Sequence, residues 1–352
     1  MTRPISVLVL GASYGMLIAV RLAQTEAHVT LVCTAQEQED LLAHGAQVDF
    51  RGKHGIAGVE VKMPVRRGSA TEAGQLGVVG CDVDVCGIDL VFLVFSEPQC
   101  AAPQPSTLLS RIAQQRVPVV SLMNCLPPPY LNRLPSLPTN ELMPAYSAWS
   151  VWSQFDSSVF TAASPDAQAF RPTESSCRLI VGLSSNFKVA PFHQSSHQAL
   201  LQKLAFDTQH SKVFGQRIPV DLVAHKSLTI PLAKWPMLLA GNCRCVLSDG
   251  TAISIAQAIW QDIEVSCQVY EWVCDVALIC GANKADLVPF RVYAAVAKSL
   301  KRPSSMARAI LARQVQVERV DKVVQLAGAA LGKFSPEVDR IVERIDLLLL
   351  AR

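Results

Sequence analysis

Residues 5–33 read ISVLVLGASYGMLIAVRLAQTEAHVTLVC, and this stretch decides the fold. Ile5 to Leu10 is an apolar run of strand length, and Gly11-Ala12-Ser13-Tyr14-Gly15 is a tight turn. Met16 to Ala23 is helical, and His28 to Cys33 is a second apolar strand. Strand, glycine turn, helix and strand in that order open a dinucleotide-binding fold, where backbone N–H groups at the helix start hold phosphates. The usual spacing is G-x-G-x-x-G. Here Ser13 stands where the second glycine belongs, and Gly15 arrives one residue early. Gly11 is read as making the bend and Gly15 as letting the helix pack closely on the sheet, with Ala12, Ser13 and Tyr14 completing the cofactor turn.

The rhythm continues beyond this unit. Gln36 to His44 reads as a helix, Leu90 to Phe95 as a buried strand, Leu108 to Gln115 as a helix and Val117 to Leu122 as another buried strand. Alternation of this kind implies a parallel sheet covered by helices on both faces. Pro127 to Ser175 is rich in Pro, Ser and Trp, and Arg178 to Val181 returns to a strand. From His197 to Leu350 almost everything has helical period, with Gly281, Pro303 and the stretch from Gly332 to Pro336 as stop and start signals. The expected architecture is α/β: a Rossmann-type domain over residues 1–190, then an all-helical domain over 191–352.

The 352 residues are half hydrophobic and only 17% charged, with a formal net charge of +3. That near-balance leaves no electrostatic footprint for nucleic acid or a membrane surface. No apolar run reaches the roughly 18 to 20 residues of a membrane span. Arg3 before an uncharged stretch to Val20 resembles a signal peptide, but the glycine break and the following strand argue against one. The 11 cysteines lie mostly in apolar segments, as buried thiols of a cytoplasmic protein would. Neither Cys243 with Cys245 nor Cys81 with Cys86 has zinc spacing, so no metal is expected.

Several residues stand where chemistry is done. The second strand ends Val32-Cys33-Thr34-Ala35-Gln36, with neither the carboxylate that binds an NAD ribose nor an arginine for an NADP phosphate. Arg51 and Lys53 are the nearest cations that could reach such a phosphate. Asn124 follows a buried strand, at the sheet edge where ligands bind. Lys234 precedes Trp235-Pro236, a helix start, with Asn242 about two turns inside. A partly desolvated lysine there can deliver a proton. Pro303-Ser304-Ser305 is a helix start that can cap itself or hold a carboxylate.

Taken in order, these pieces resemble the ketopantoate reductase (2-dehydropantoate 2-reductase) family. The match runs through the glycine turn, Val29 to Val32, Asp40 to Gly45, Asn124, Lys234-Trp235 with Asn242, and Pro303 to Met306, and is loose between Pro127 and Pro219. The resemblance implies a Rossmann-type domain, a C-terminal domain like that of 6-phosphogluconate dehydrogenase, and hydride transfer from NADPH to the ketone of a 2-oxo acid in the cleft between them. It makes Lys234 the proton donor, Asn124 the asparagine at nicotinamide and substrate, and Asn242 with Ser304 or Ser305 the substrate-binding groups.

The departures fall on ligand contacts. Thr34 replaces the family's arginine, and Ser96 or Glu97 replaces its lysine after the Leu90 strand, where a glutamate would repel phosphate. Leu238 replaces the first asparagine of the lysine helix. The family's glutamate falls on Gln316 or Val317, with Glu318 a shifted substitute. The reading is therefore a divergent NAD(P)-dependent oxidoreductase acting on a different 2-oxo acid or ketone, with NADP mildly favoured over NAD by the family. The alternatives are a non-catalytic protein that binds a nucleotide or another small molecule, and a genuine ketopantoate reductase. A homodimer contact through the apolar last helix, Val338 to Leu350, is one reading of its pattern; packing on the Lys234 helix is the other.

Overall fold

The computed structural model describes residues 3–51, 58–165, 168–172, 174–211 and 218–351. It divides into two compact units. The first comprises Met1–Phe95, Ala102–Met123 and Ser153–Lys226, and the second Ser96–Ala101, Asn124–Trp152 and Ser227–Arg352.

The strands belong to the first unit. They are β1 (Ser6–Leu10), β2 (His28–Val32), β3 (Ala46–Phe50), β4 (Val59–Met63), β5 (Val65–Arg67), β6 (Leu76–Val79) and β7 (Leu90–Leu93). β8 (Val119–Ser121), β9 (Phe160–Pro165), β10 (Gln168–Phe170), β11 (Arg178–Leu183), β12 (Phe187–Val189) and β13 (Leu222–Ala224) complete them. A nine-stranded sheet runs β13-β12-β9-β8-β7-β1-β2-β6-β5, and a four-stranded sheet runs β10-β11-β3-β4. From β9 to β5 every pairing in the large sheet is parallel. Its centre, β6-β2-β1-β7-β8-β9, has the Rossmann strand order, with the order reversing between β1 and β7. Val7 to Leu10 are fully buried, which is why β1 reads as an unbroken apolar run rather than an alternating one.

The sequence reading divides the chain near residue 190, but the first unit continues to Lys226. There β13 pairs with β12, and Arg21, which is 1% exposed on the buried helix Gly15–Ala23, reaches the same segment. Its guanidinium pairs with Asp221 at 3.0 Å and donates to the Val220 carbonyl at 2.7 Å and the Ser211 hydroxyl at 2.7 Å. A buried guanidinium needs these acceptors, so the segment after residue 190 stays on the sheet.

The second unit is helical. Ile263–Ile279 is its central helix and packs against Ile255–Trp260, Phe290–Ala297, Val320–Ala330, Pro336–Leu350 and the turns around Lys234. The Pro/Ser/Trp-rich stretch contributes short pieces here: Pro128–Leu131, Thr139–Ala145 and Trp149–Trp152. Within the last helix, Val338, Ile341, Val342 and Ile345 are buried, while Leu347 and Leu350 are exposed. Among the described residues no helix is long and apolar enough to cross a membrane.

Candidate functional site

In the first unit the glycine turn lies at the sheet's reversal point. Gly11 N donates to the Val32 carbonyl and Val94 N to the Leu10 carbonyl, each at 3.0 Å, so the ends of β1, β2 and β7 meet here. Gly11 has φ +113°, and a Cβ on it would lie 3.3 Å from the Phe95 ring and 3.4 Å from the Val94 carbonyl oxygen. A Cβ on Gly15 would lie 3.1 Å from Val9 Cγ1, so this glycine sets how closely the helix packs on the sheet. Ala12 is buried, Ser13 is exposed, and the Tyr14 ring meets Phe187 edge-on at 6.1 Å. Among the described residues no side chain caps the helix Gly15–Ala23. An uncapped helix start behind a glycine turn, at the point where strand order reverses, suits an anionic pyrophosphate.

Thr34, expected near the cofactor, is the N-cap of the helix Ala35–His44. It forms a reciprocal box with Glu37: Glu37 N donates to Thr34 Oγ1 at 3.3 Å, and Thr34 N donates to Glu37 Oε2 at 3.0 Å. Glu37 also pairs with Arg171. The end of β2 therefore has both groups that the linear sequence lacks there. The carboxylate folds back from one helical turn on, and the guanidinium arrives from the residue after β10. Burial works against ionisation of Glu37, but the bonds from Arg171 and Thr34 outweigh it and hold the carboxyl below its ordinary value. Arg51 lies over the Phe170 ring at 5.7 Å; Lys53 is outside the described residues.

In the second unit, Ser96 directs its N–H and hydroxyl to Gln99 Oε1, at 2.8 and 3.0 Å. The acid beside it is engaged within this unit. Glu97 is 1% exposed, and its carboxylate accepts from Ser147 N, Ala148 N and Trp152 Nε1 at 3.1, 2.8 and 3.1 Å. Those three donors satisfy it and anchor the Trp149–Trp152 turn.

Glu97 N donates to Glu318 Oε1 at 3.3 Å. Glu318, with Asn124 and Lys234, forms the polar centre of this unit. The Asn124 side chain bonds the Glu318 carboxyl, and the Lys234 charge acts on it. Burial pushes that carboxyl up to about 7, against the stabilising Glu97 N–H, Lys234 and Asn124, while the Glu97 charge adds to the rise. Its neighbour Arg319 fixes the backbone by pairing with buried Asp321 at 2.8 Å and with Asp346. Gln316 is exposed and Val317 is buried, so neither of the positions expected for the family's glutamate joins the cluster. The signal for Glu318 lay in its proximity to the serine turn. It was obscured because the helix Ser305–Leu311 ends partway and a loop carries the chain from there to Glu318, where spacing is elastic.

Lys234 is half-buried and precedes the short α-turn Trp235–Met237, with Trp235 fully buried as its anchor. The segment then widens into a π-turn, Leu238–Asn242, rather than continuing as the expected plain helix. Such a turn frees a carbonyl and rotates the residues after it. Tyr293 supplies the missing donor: its hydroxyl bonds the Met237 carbonyl at 3.1 Å. Gly241 leaves room for it, since a Cβ there would sit 2.0 Å from that hydroxyl. Asn242 is half-buried, and its carbonyl accepts from the Ser304 hydroxyl at 2.8 Å. Ser304 also accepts from Ala307 N at 3.1 Å and is 2% exposed, so it caps its helix and holds Asn242 in place. Ser305 is exposed, and Leu238 is buried.

No family model matches the chain, and no curated protein matches it in sequence. Solved structures do. A 2-dehydropantoate 2-reductase from Geobacter metallireducens superposes with a TM-score of 0.70 at 12% identity, over 97% of this chain and 99% of that one. D-mandelate dehydrogenase in a ternary structure with NADH and anilino(oxo)acetate superposes at 0.64 with 15% identity, over 99% of both. A dimeric ketopantoate reductase from Staphylococcus aureus superposes at 0.60 with 13% identity, again over 99% of both. The chain has the fold of these oxidoreductases.

Proposed function

We propose that the protein is a nicotinamide-dependent oxidoreductase that reduces the ketone of a 2-oxo acid or related carbonyl compound, with Lys234 as proton donor. The observation that carries this reading is the gathering of Lys234, Asn124 and Glu318 in one cluster, on a fold shared with reductases of 2-oxo acids. The first unit's glycine turn and uncapped helix fit a dinucleotide pyrophosphate. When bound, the nicotinamide supplies the hydride.

The chain's own residues do the rest. The Lys234 ammonium bonds the ketone oxygen, stabilises the charge that grows on it as the carbonyl carbon gains the hydride, and delivers the proton that completes the alcohol. Asn124, oriented by Glu318, fixes the substrate beside it. With its carboxyl near 7, Glu318 exchanges a proton at neutral pH and can accept from or donate to a substrate hydroxyl. Leu238 stands where the family has an asparagine, and the loss of that polar group favours a more apolar 2-oxo acid.

Glu37 at the end of β2 supports NADH over NADPH, because its carboxylate repels a 2′-phosphate while suiting a ribose hydroxyl. The free cysteines suit a cytoplasmic setting, and exposed Leu347 and Leu350 suit a homodimer contact. Titration with NADH and NADPH, followed by a screen of aliphatic and aryl 2-oxo acids, tests the proposal. Saturable NADH binding with oxidation by one of these acids is expected. Binding of neither nucleotide would replace it with the reading of a non-catalytic small-molecule binder.

A further inference from the structure

Away from the Lys234 cluster, the second unit has a cavity of about 470 Å³ between the turn Cys243–Cys245, the helix Ile263–Ile279 and the last helix, Pro336–Leu350. Its wall carries Arg244, Arg340 and Arg344 against Asp262 and Glu337, so it is net positive. Arg340 pairs with Glu337 at 2.5 Å, and Asp262 caps its own helix by accepting from Val265 N at 3.0 Å. The other two guanidiniums meet neutral oxygens. Arg244 bonds the Ser266 hydroxyl, and Arg344 bonds the Val246 carbonyl at 3.0 Å. Among the described residues neither is bonded to a carboxylate.

Both arginines are half-buried. Burial, with the nearby Arg344 charge, holds Arg244 below its ordinary value even though Asp262 and Glu337 oppose the shift. Two like charges drawn from water onto one cavity are unfavourable unless an anion joins them. Leu247, Ile253 and Val269 line the remainder with apolar surface, and the volume lies in the range of small-molecule sites.

We propose that this cavity binds a small phosphate monoester with an apolar body, its phosphate held between Arg244 and Arg344. The planar guanidinium forks match phosphate oxygens, and the wall stays net positive with Asp262 and Glu337 counted, which favours an anion there.

Calorimetric titration of the full chain with phenyl phosphate tests this, with benzoate, inorganic phosphate and benzyl alcohol for comparison. Phenyl phosphate is expected to bind more tightly than each of the other three. Arg244→Gln and Arg344→Gln are each expected to weaken it by about tenfold or more, while Lys234→Ala leaves it unchanged. In case the arginine variants fail to fold, the wild-type isoleucine methyl spectrum provides a second readout, with Ile253 and Ile341, both on the cavity wall, expected to shift on titration. No binding of phenyl phosphate, equal binding of benzyl alcohol, undiminished binding in the folded arginine variants, or unmoved Ile253 and Ile341 signals would overturn the proposal.

Discussion

The backbone N–H of Glu97 donates to the carboxyl of Glu318 at 3.3 Å, joining two acids far apart in sequence. The Glu97 carboxyl has three donors of its own, Ser147 N, Ala148 N and Trp152 Nε1, so the pair is not a shared-proton dyad, although the Glu97 charge still acts on Glu318. Burial raises both carboxyls, that of Glu318 to about 7.

That assignment sets a pH dependence. The Glu318 carboxyl titrates near 4.5 when unperturbed and at about 7 in the folded chain. Between these values the folded state holds a proton that the unfolded state has released, so stability falls as pH rises through this window. Glu318→Gln removes the effect. From about pH 4 to about pH 8 the variant should gain on wild type by roughly 3 kcal/mol in urea denaturation. A difference that stays constant with pH contradicts the assignment.

Glu37→Gln removes the negative charge at the end of β2 and releases Arg171. Affinity for NADPH relative to NADH should rise by about tenfold, equivalent to about 1.4 kcal/mol, as read by fluorescence titration of both nucleotides. An unchanged ratio means that Glu37 does not face the ribose.

The π-turn after Lys234 depends on one hydroxyl. Tyr293→Phe leaves the Met237 carbonyl without its side-chain donor and should cost about 1 to 3 kcal/mol of stability. Gly241→Ala places a methyl against that hydroxyl and should cost a similar amount, about 1 to 3 kcal/mol. Because both act on the geometry between Lys234 and Asn242, turnover should fall while NADH affinity is retained. A stability loss with unchanged kcat would separate the turn from catalysis.

Arg21→Met tests what holds the segment after residue 190 to the sheet. It leaves buried Asp221 without its cation and should destabilise the chain by about 3 to 5 kcal/mol in denaturant unfolding. A loss below about 1 kcal/mol would place the pair among weak surface bridges.

The Rossmann sheet was legible because β1, β2 and β7 are buried on both faces and their apolar runs leave little choice of period. The glycine turn was legible for a related reason: a positive φ at Gly11 and a close helix approach at Gly15 both require the absence of a side chain. The division of the chain was not, since it rests on β13 joining β12 and on Arg21 reaching Val220 and Asp221, 199 and 200 residues away. The capping box of Thr34 with Glu37 had a local signature, a threonine with a glutamate three residues on, but that acid lies past the strand end, inside the next helix. Arg171 had none, because it reaches β2 through the second sheet. The π-turn was hidden because an extra residue in one turn leaves the apolar pattern of residues 235–243 intact.

The central claim is that Lys234 acts on the reacting carbonyl. The most direct test is single-turnover oxidation of bound NADH by Lys234→Ala with the substrate found in the screen. Nucleotide affinity should stay at the wild-type value while the rate falls on the order of 10²- to 10³-fold. A variant that binds NADH and turns over at the wild-type rate would contradict the assignment of Lys234.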